Sequence, residues 1–148
     1  MTVNHSSRGK VAEKLFQKEL IRKESEVAGF TFERIYDAHS ARGAMATPRS
    51  GDFCLYFKSM NILVEIKEVA HAFRLPRQNF ERGQRARMKK RELAGSKCFV
   101  VIYHSTTETW RLLPLSFFGF EDTGSWDVQD VPFQTPKAIV EALCQAIQ

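Results

Sequence analysis

The sequence predicts an α/β fold in which a mixed central sheet is flanked by helices. Three patterns carry that expectation. Two short apolar runs, residues 53–57 and 62–66, flank the polar turn 58–61, which is a hairpin signature. Residues 98–103 are almost wholly apolar and β-branched, as for a strand covered on both faces. A helical pattern over 80–94 lies between them, and a strand, a helix and a strand in that order imply a right-handed parallel crossover beside the antiparallel hairpin.

At 148 residues the chain has the length of one domain, 1–148, and can bury a proper core. Its 43% apolar and 26% charged residues are globular values. No run approaches a transmembrane length and no apolar signal region opens the chain, so a soluble, intracellular protein without membrane partners is expected. Cys54, Cys98 and Cys144 are odd in number and widely spaced. They read as reduced, buried small hydrophobes rather than a zinc site or disulfide framework.

The elements follow in order. Residues 1–7 are polar, and Ser6 or Ser7 can cap the helix predicted over 10–28. Val11, Ala12, Leu15, Phe16, Leu20, Ile21 and Val27 give that helix a broad apolar stripe, and Gly29 stops it. Residues 30–36 read as the first strand. Residues 37–49 hold His39, Arg42 and Arg49 with Gly, Ala, Ser and Thr. That segment is either a connector or a basic arm reaching toward an anionic partner.

After the hairpin, 68–79 reads as an irregular crossing. Asn79 is a candidate cap for the helix over 80–94, and Gly95 ends that helix. Residues 108–115 read as a further strand. Residues 117–133, with Trp126, read as a packed irregular segment in which aromatics fill core. Thr135 as cap and Pro136 at the first helical position open an amphipathic helix over 137–147.

The chemistry concentrates at the hairpin. Asp52 stands at the mouth of the first strand. Glu65 and Lys67, two apart on the second, share a face. The hairpin brings Asp52 level with Glu65, so one sheet edge carries two carboxylates and an amine. Two buried carboxylates repel unless a cation lies between them. A hard divalent ion such as Mg2+ suits oxygen ligands of this kind. The amine beside them can orient or deprotonate a water, or neutralise charge building on a phosphate. By itself the pattern also fits an exposed hairpin with a Glu–Lys pair.

The charge distribution selects a partner. The net charge is +5, but residues 74–97 hold nine Lys or Arg against Glu81 and Glu92, while 98–148 hold two bases against six acids. An acidic site with a basic surround suits a phosphate backbone, and the alternative is a solvated helix face that keeps the protein soluble. Within 80–94, Arg82, Arg85, Arg87, Lys89, Lys90 and Arg91 supply the charge, and Gln84 lies where its amide can reach a phosphate oxygen or a water. Glu13 reads either as helix-dipole compensation or an exposed ion pair, or as a further acid turned toward a metal.

Asp52 followed by Glu65-Ile66-Lys67 resembles the signature of the PD-(D/E)XK nucleases, with Gly51 where those enzymes have Pro. The order of elements resembles their restriction-endonuclease-like αβββαβ core. Within that group the chain is similar to the Holliday junction resolvases, of the RecU type first and the archaeal Hjc type second. The similarity rests on Ser7-Arg8-Gly9 before Glu13, on Ser50-Gly51-Asp52, and above all on residues 75–84, Leu-Pro-Arg-Gln-Asn-Phe-Glu-Arg-Gly-Gln. Residues 98–103 and Arg111-Leu112-Leu113-Pro114 also fit.

The resemblance implies a Mg2+-dependent endonuclease, with Mn2+ able to substitute, that nicks four-way DNA symmetrically as a homodimer. A bacterial or phage-infected cytoplasm is the implied setting. Asp52, Glu65 and Ile66 become metal ligands. Lys67, Gln84 and Glu13 join Asp52 and Glu65 as catalytic residues. Arg8, Arg42, Arg49, Ser50, Arg82, Arg85 and Lys89 become DNA contacts. Another nuclease of the superfamily, acting on flaps, ends or duplex, keeps the same residues. A nucleic-acid-binding module without cleavage is the alternative outside enzymes.

Overall fold

The computed structural model describes residues 5–35, 51–119 and 124–145, with backbone alone for 5–10. Arg42, Arg49 and Ser50 lie outside the described residues, as do His39 and the whole of 37–49. The side chain of Arg8 lies outside them too.

Helix α1, His5–Glu26, opens the chain. It begins ahead of Ser6 and Ser7, so neither serine caps it. Its buried face is narrower than the sequence stripe. Ala12, Phe16 and Leu20, spaced by one turn, are inside, whereas Val11, Leu15 and Ile21 stay exposed. Phe16 packs against Phe53 and Trp110 with ring centres 5.9 and 6.5 Å away.

Strand β1 (Phe30–Arg34) pairs antiparallel with β2 (Phe53–Phe57), and β2 with β3 (Met60–Val69). The β2–β3 turn is tighter than expected. Lys58 and Ser59 both take positive φ, 51° and 64°, the geometry of a two-residue hairpin turn whose twist matches the strands. Short β4 (Arg74–Pro76) follows, then a 3-10 turn at Arg77–Asn79 and helix α2 (Gln84–Leu93).

Strand β5 (Lys97–His104) returns parallel to β3, and β6 (Thr109–Pro114) pairs antiparallel with β5. After β7 (Ser125–Asp127), helix α3 (Pro136–Gln145) closes the fold, capped by Thr135, whose Oγ1 accepts the Ala138 N–H at 3.1 Å. The main sheet runs β1-β2-β3-β5-β6. This is the mixed, helix-flanked sheet that the sequence predicted.

Two differences shape the site. The helix predicted from residue 80 starts at Gln84, and Asn79 does not cap it. Phe80 is extended (φ −87°, ψ 136°) because its ring is drawn into an edge-to-face cluster with Phe118 and Trp126, 5.4 and 5.6 Å away. Gly83, at φ 78°, then turns the chain into the helix. At the other end Gly95 behaves as expected: its N–H bonds the Glu92 carbonyl, and that of Ser96 the Arg91 carbonyl. The second difference is a small sheet in which β4 pairs with β7, Leu75 opposite Trp126. It gives order to segments that read as irregular, and it places Trp126 in the core.

The main sheet has two buried faces. Ile62, Val64 and Ile66 point toward α1 and α3, with Val101 and Tyr103. Leu63, Val100 and Ile102 point toward α2 and the small sheet. On this second face Arg111 is 1% exposed. Its Nε donates to the Val131 carbonyl at 2.7 Å, Nη1 to the Ala72 carbonyl and to His104 Nε2, and its guanidinium lies 4.1 Å from the Phe133 ring centre. The His104 Nδ1–H donates to the His71 carbonyl. Burial depresses the His104 pKa; the His71 carbonyl opposes that shift and the Arg111 charge adds to it.

Candidate active site

Asp52 is fixed by backbone on two sides. Its N–H donates to the Val64 carbonyl at 2.9 Å, and its carbonyl accepts the Ile35 N–H at 2.8 Å. Phe53 pairs with Val64, so Asp52 comes level with Glu65 as the spacing predicted. Gly51 eases this approach. A Cβ there would stand 2.8 Å from Leu63 Cδ1 and 3.2 Å from the Val64 carbonyl oxygen.

The Asp52 side chain turns along the sheet edge, and its Oδ2 accepts the Ile66 N–H at 2.7 Å. A strand residue presents its N–H and C=O to the same edge. The Ile66 carbonyl therefore faces the side where β2 has just ended, next to the Asp52 carboxylate.

Glu65 and Lys67 share the face toward α2. Their ion pair measures 3.0 Å between Oε1 and Nζ. Lys67 Nζ also donates to the Asn79 carbonyl at 2.7 Å and to Gln84 Oε1 at 3.2 Å, and lies 4.7 Å from the Phe80 ring centre. The ammonium thus has two hydrogen-bond acceptors and one carboxylate partner. Gln84 Oε1 additionally accepts the Glu81 N–H at 3.3 Å, so two donors fix which end of the amide is oxygen.

Asp52, Glu65, Lys67 and Gln84 are 2%, 1%, 8% and 0% exposed. Four polar side chains buried together require partners, yet two atoms have none among the described residues: Glu65 Oε2 and Gln84 Nε2. One is an anionic acceptor and the other a donor. That pair suits a cation and a ligand oxygen. Two carboxylates and a strand carbonyl are also the hard oxygen donors that Mg2+ takes. The donor set fits such an ion, although no cluster of three His, Cys, Asp or Glu side chains occurs among the described residues.

Glu13 is reached through α1 rather than through the hairpin. It rides on α1, which covers the opposite face of the sheet, and its Oε2 pairs with Arg34 Nη2 at 2.5 Å. Arg34 is opposite Phe53, the residue after Asp52. Of the predicted DNA contacts, Arg82 is exposed at the entry to α2. Arg85 lies over Trp126 and Phe80, 4.9 and 5.6 Å from their ring centres, and donates to the Gly119 carbonyl. Lys89 pairs with Glu92 at 2.8 Å. Asn79 and Phe80, a helix cap and first helical residue by sequence pattern, instead both hold Lys67. Their place inside the 75–84 segment was the only sequence signal for that role.

Comparison with known proteins bears on the fold. The chain is similar to the Holliday junction resolvase Hjc of the archaeal hyperthermophile Archaeoglobus fulgidus, with TM-score 0.52 and 13% identity over 91% of this chain and 98% of that one. It is likewise similar to the bacterial homing endonuclease I-Ssp6803I, with TM-score 0.54 and 10% identity over 97% and 93%. No sequence-family model and no curated protein sequence matches it. The chain thus has the restriction-endonuclease-like fold of these two enzymes, and at such identities the likeness is one of fold. No helix among the described residues is long and apolar enough to cross a membrane.

Proposed function

We propose that the chain is a divalent-metal-dependent endodeoxyribonuclease, and that its substrate is branched DNA, resolved at four-way junctions by paired symmetric nicks. The observation that carries the enzymatic part is the buried quartet Asp52, Glu65, Lys67 and Gln84, with Glu65 Oε2 and Gln84 Nε2 unpartnered among the described residues. The fold shared with a junction resolvase supports the substrate.

Asp52, Glu65 and the Ile66 carbonyl would hold the metal, Mg2+ by preference with Mn2+ able to substitute. When bound, such an ion neutralises charge on the phosphate and lowers the cost of forming hydroxide from water. Asp52 is held for this work by three backbone contacts, so little reorganisation is needed. The Lys67 ammonium stands beside Glu65, 3.0 Å from its Oε1, where it can orient the attacking water. Asn79, Gln84 and Phe80 fix its position. The unpartnered Gln84 amide is placed to donate to a phosphate oxygen.

Junction resolution requires two such sites related by a twofold axis, hence a homodimer. Recognition would rest on backbone charge and DNA shape, with Arg8, Arg42, Arg49, Ser50, Arg82, Arg85 and Lys89 as phosphate contacts. The fold it shares with a homing endonuclease points to linear duplex as the competing substrate.

The test is cleavage of a labelled immobile four-way junction beside linear duplex of the same sequence, in Mg2+ and in EDTA. Paired nicks near the branch, with duplex left intact, are expected. Equal cutting of the duplex would remove the junction assignment and leave the nuclease.

A further inference from the structure

Three consecutive residues ahead of α2 meet the site. The Asn79 carbonyl accepts Lys67 Nζ at 2.7 Å, the Phe80 ring centre lies 4.7 Å from the same nitrogen, and the Glu81 N–H donates to Gln84 Oε1 at 3.3 Å. They do so because the helix starts late. In a helix beginning at residue 80 the Asn79 carbonyl would accept the first intrahelical bond, from the Gly83 N–H. With Phe80 extended, that carbonyl is left to Lys67.

What keeps Phe80 extended lies outside the quartet. Its ring meets Phe118 at 5.4 Å and Trp126 at 5.6 Å, and Phe118 meets Trp126 at 4.9 Å, all edge-to-face. Such geometry adds to the gain from burial, so the three rings hold one another in place. Trp126 is 8% exposed and fixed by strand pairing, opposite Leu75 of β4. The small sheet therefore anchors the chain just before the segment that holds Lys67.

We propose that Trp126 is a positioning residue for the reaction: acting through Phe80, it sets where the Lys67 ammonium stands. The inference rests on the nuclease reading and gives the small sheet a part in it beyond packing. A lysine ammonium is a point charge on a flexible four-carbon stem, so its place must be imposed by its surroundings. A displacement of about 1 Å at a reacting group costs about 10²-fold in rate. A smaller side chain at position 126 leaves the Phe80 ring room to turn, and the adjacent Asn79 carbonyl moves with it.

The test reads Lys67 directly as well as cleavage. In protein carrying isotopically labelled lysine, the Lys67 ε-methylene NMR signal is assigned by its loss in Lys67→Met, and it carries the ring-current shift of Phe80. Trp126→Leu should move that signal toward the position of an exposed lysine. It should also lower the single-turnover rate about 10- to 100-fold at saturating DNA, where affinity no longer enters. Trp126→Phe should restore both. Phe118→Leu, at the third corner of the cluster, should move the signal in the same direction. Phe57→Leu, a partly buried ring at the far end of the hairpin, should change neither.

A Lys67 signal that stays in place in Phe118→Leu would overturn the proposal even if Trp126→Leu failed to fold. An equal displacement in Phe57→Leu, or cleavage at the parent rate by folded Trp126→Leu, would overturn it too. Cleavage by the parent separates the two readings. A parent that cuts while Lys67 ignores Trp126 refutes the positioning role alone. A parent that cuts no DNA while Lys67 follows Trp126 refutes the nuclease reading, and with it any catalytic purpose for the cluster.

Discussion

Lys67 and Arg111 occupy two ends of one row across the sheet, with Ile102 between them as the partner of both. Both are buried cations on the face toward α2, yet their surroundings differ. Arg111 is held by two backbone carbonyls, a neutral histidine and an aromatic face, and no carboxylate among the described residues lies within ion-pair distance. Its neighbourhood leaves no polar atom of Arg111 or His104 unpartnered among the described residues. Lys67 is as well bonded itself, but the groups that bond it are not: among the described residues, one oxygen of Glu65 and the amide nitrogen of Gln84 have no partner. A structural network closes on itself, whereas a site of the kind proposed would leave buried groups for a ligand to meet.

That contrast can be broken at four points. Asp52→Asn has the largest expected effect. The Ile66 N–H keeps an oxygen acceptor, so folding should persist while DNA cleavage falls by about 10³-fold or more. Single-turnover kinetics beside thermal unfolding separates the two.

Arg111→Ala should act in the opposite sense. It strands the Val131 and Ala72 carbonyls and opens a cavity, at a cost of about 3 kcal/mol measured by urea unfolding, with cleavage per folded molecule retained. Gln84→Leu fills the same space but removes one acceptor from Lys67 and the waiting donor. Cleavage should drop about 10²-fold with little change in DNA binding.

The smallest effect concerns pH. The His104 pKa is lowered in the fold by burial, opposed by the His71 carbonyl and reinforced by Arg111. Above the unfolded value of about 6.5 the ring is neutral in both states. As pH falls below that value the unfolded chain takes up the proton first, so stability should decline on the acid side. His104→Gln should flatten that part of a stability-against-pH curve, and a curve of unchanged shape would mean that another group controls it.

Much of this was legible in the sequence because it is local. The two apolar runs flanking a polar turn gave the hairpin, the two-residue step put Glu65 and Lys67 on one face, and the strand count brought Asp52 level with Glu65. Thr135-Pro136 and Gly95 marked helix ends by chemistry that acts within a few residues. What failed to show depends on distant partners. Phe80 leaves the helix because Phe118 and Trp126 draw its ring in, and β4 is a strand only because β7 pairs with it about 50 residues later. The stripe on α1 narrowed to Ala12, Phe16 and Leu20, the residues that meet the core, while Val11, Leu15 and Ile21 stay exposed. Glu13 carried two readings in the sequence, and its partner in the fold is Arg34. The closed network of Arg111 and His104 had no sequence signature, since its acceptors are backbone carbonyls.

The most direct measurement is nicking of supercoiled plasmid by the parent, Asp52→Asn, Glu65→Gln and Arg111→Met, each in Mg2+ and in EDTA. Nicking that requires Mg2+, disappears in the two carboxylate variants and scales with the folded fraction in Arg111→Met is the expected result. Nicking at the parent rate by Asp52→Asn or Glu65→Gln would show that the waiting groups beside Lys67 are not where the chemistry happens.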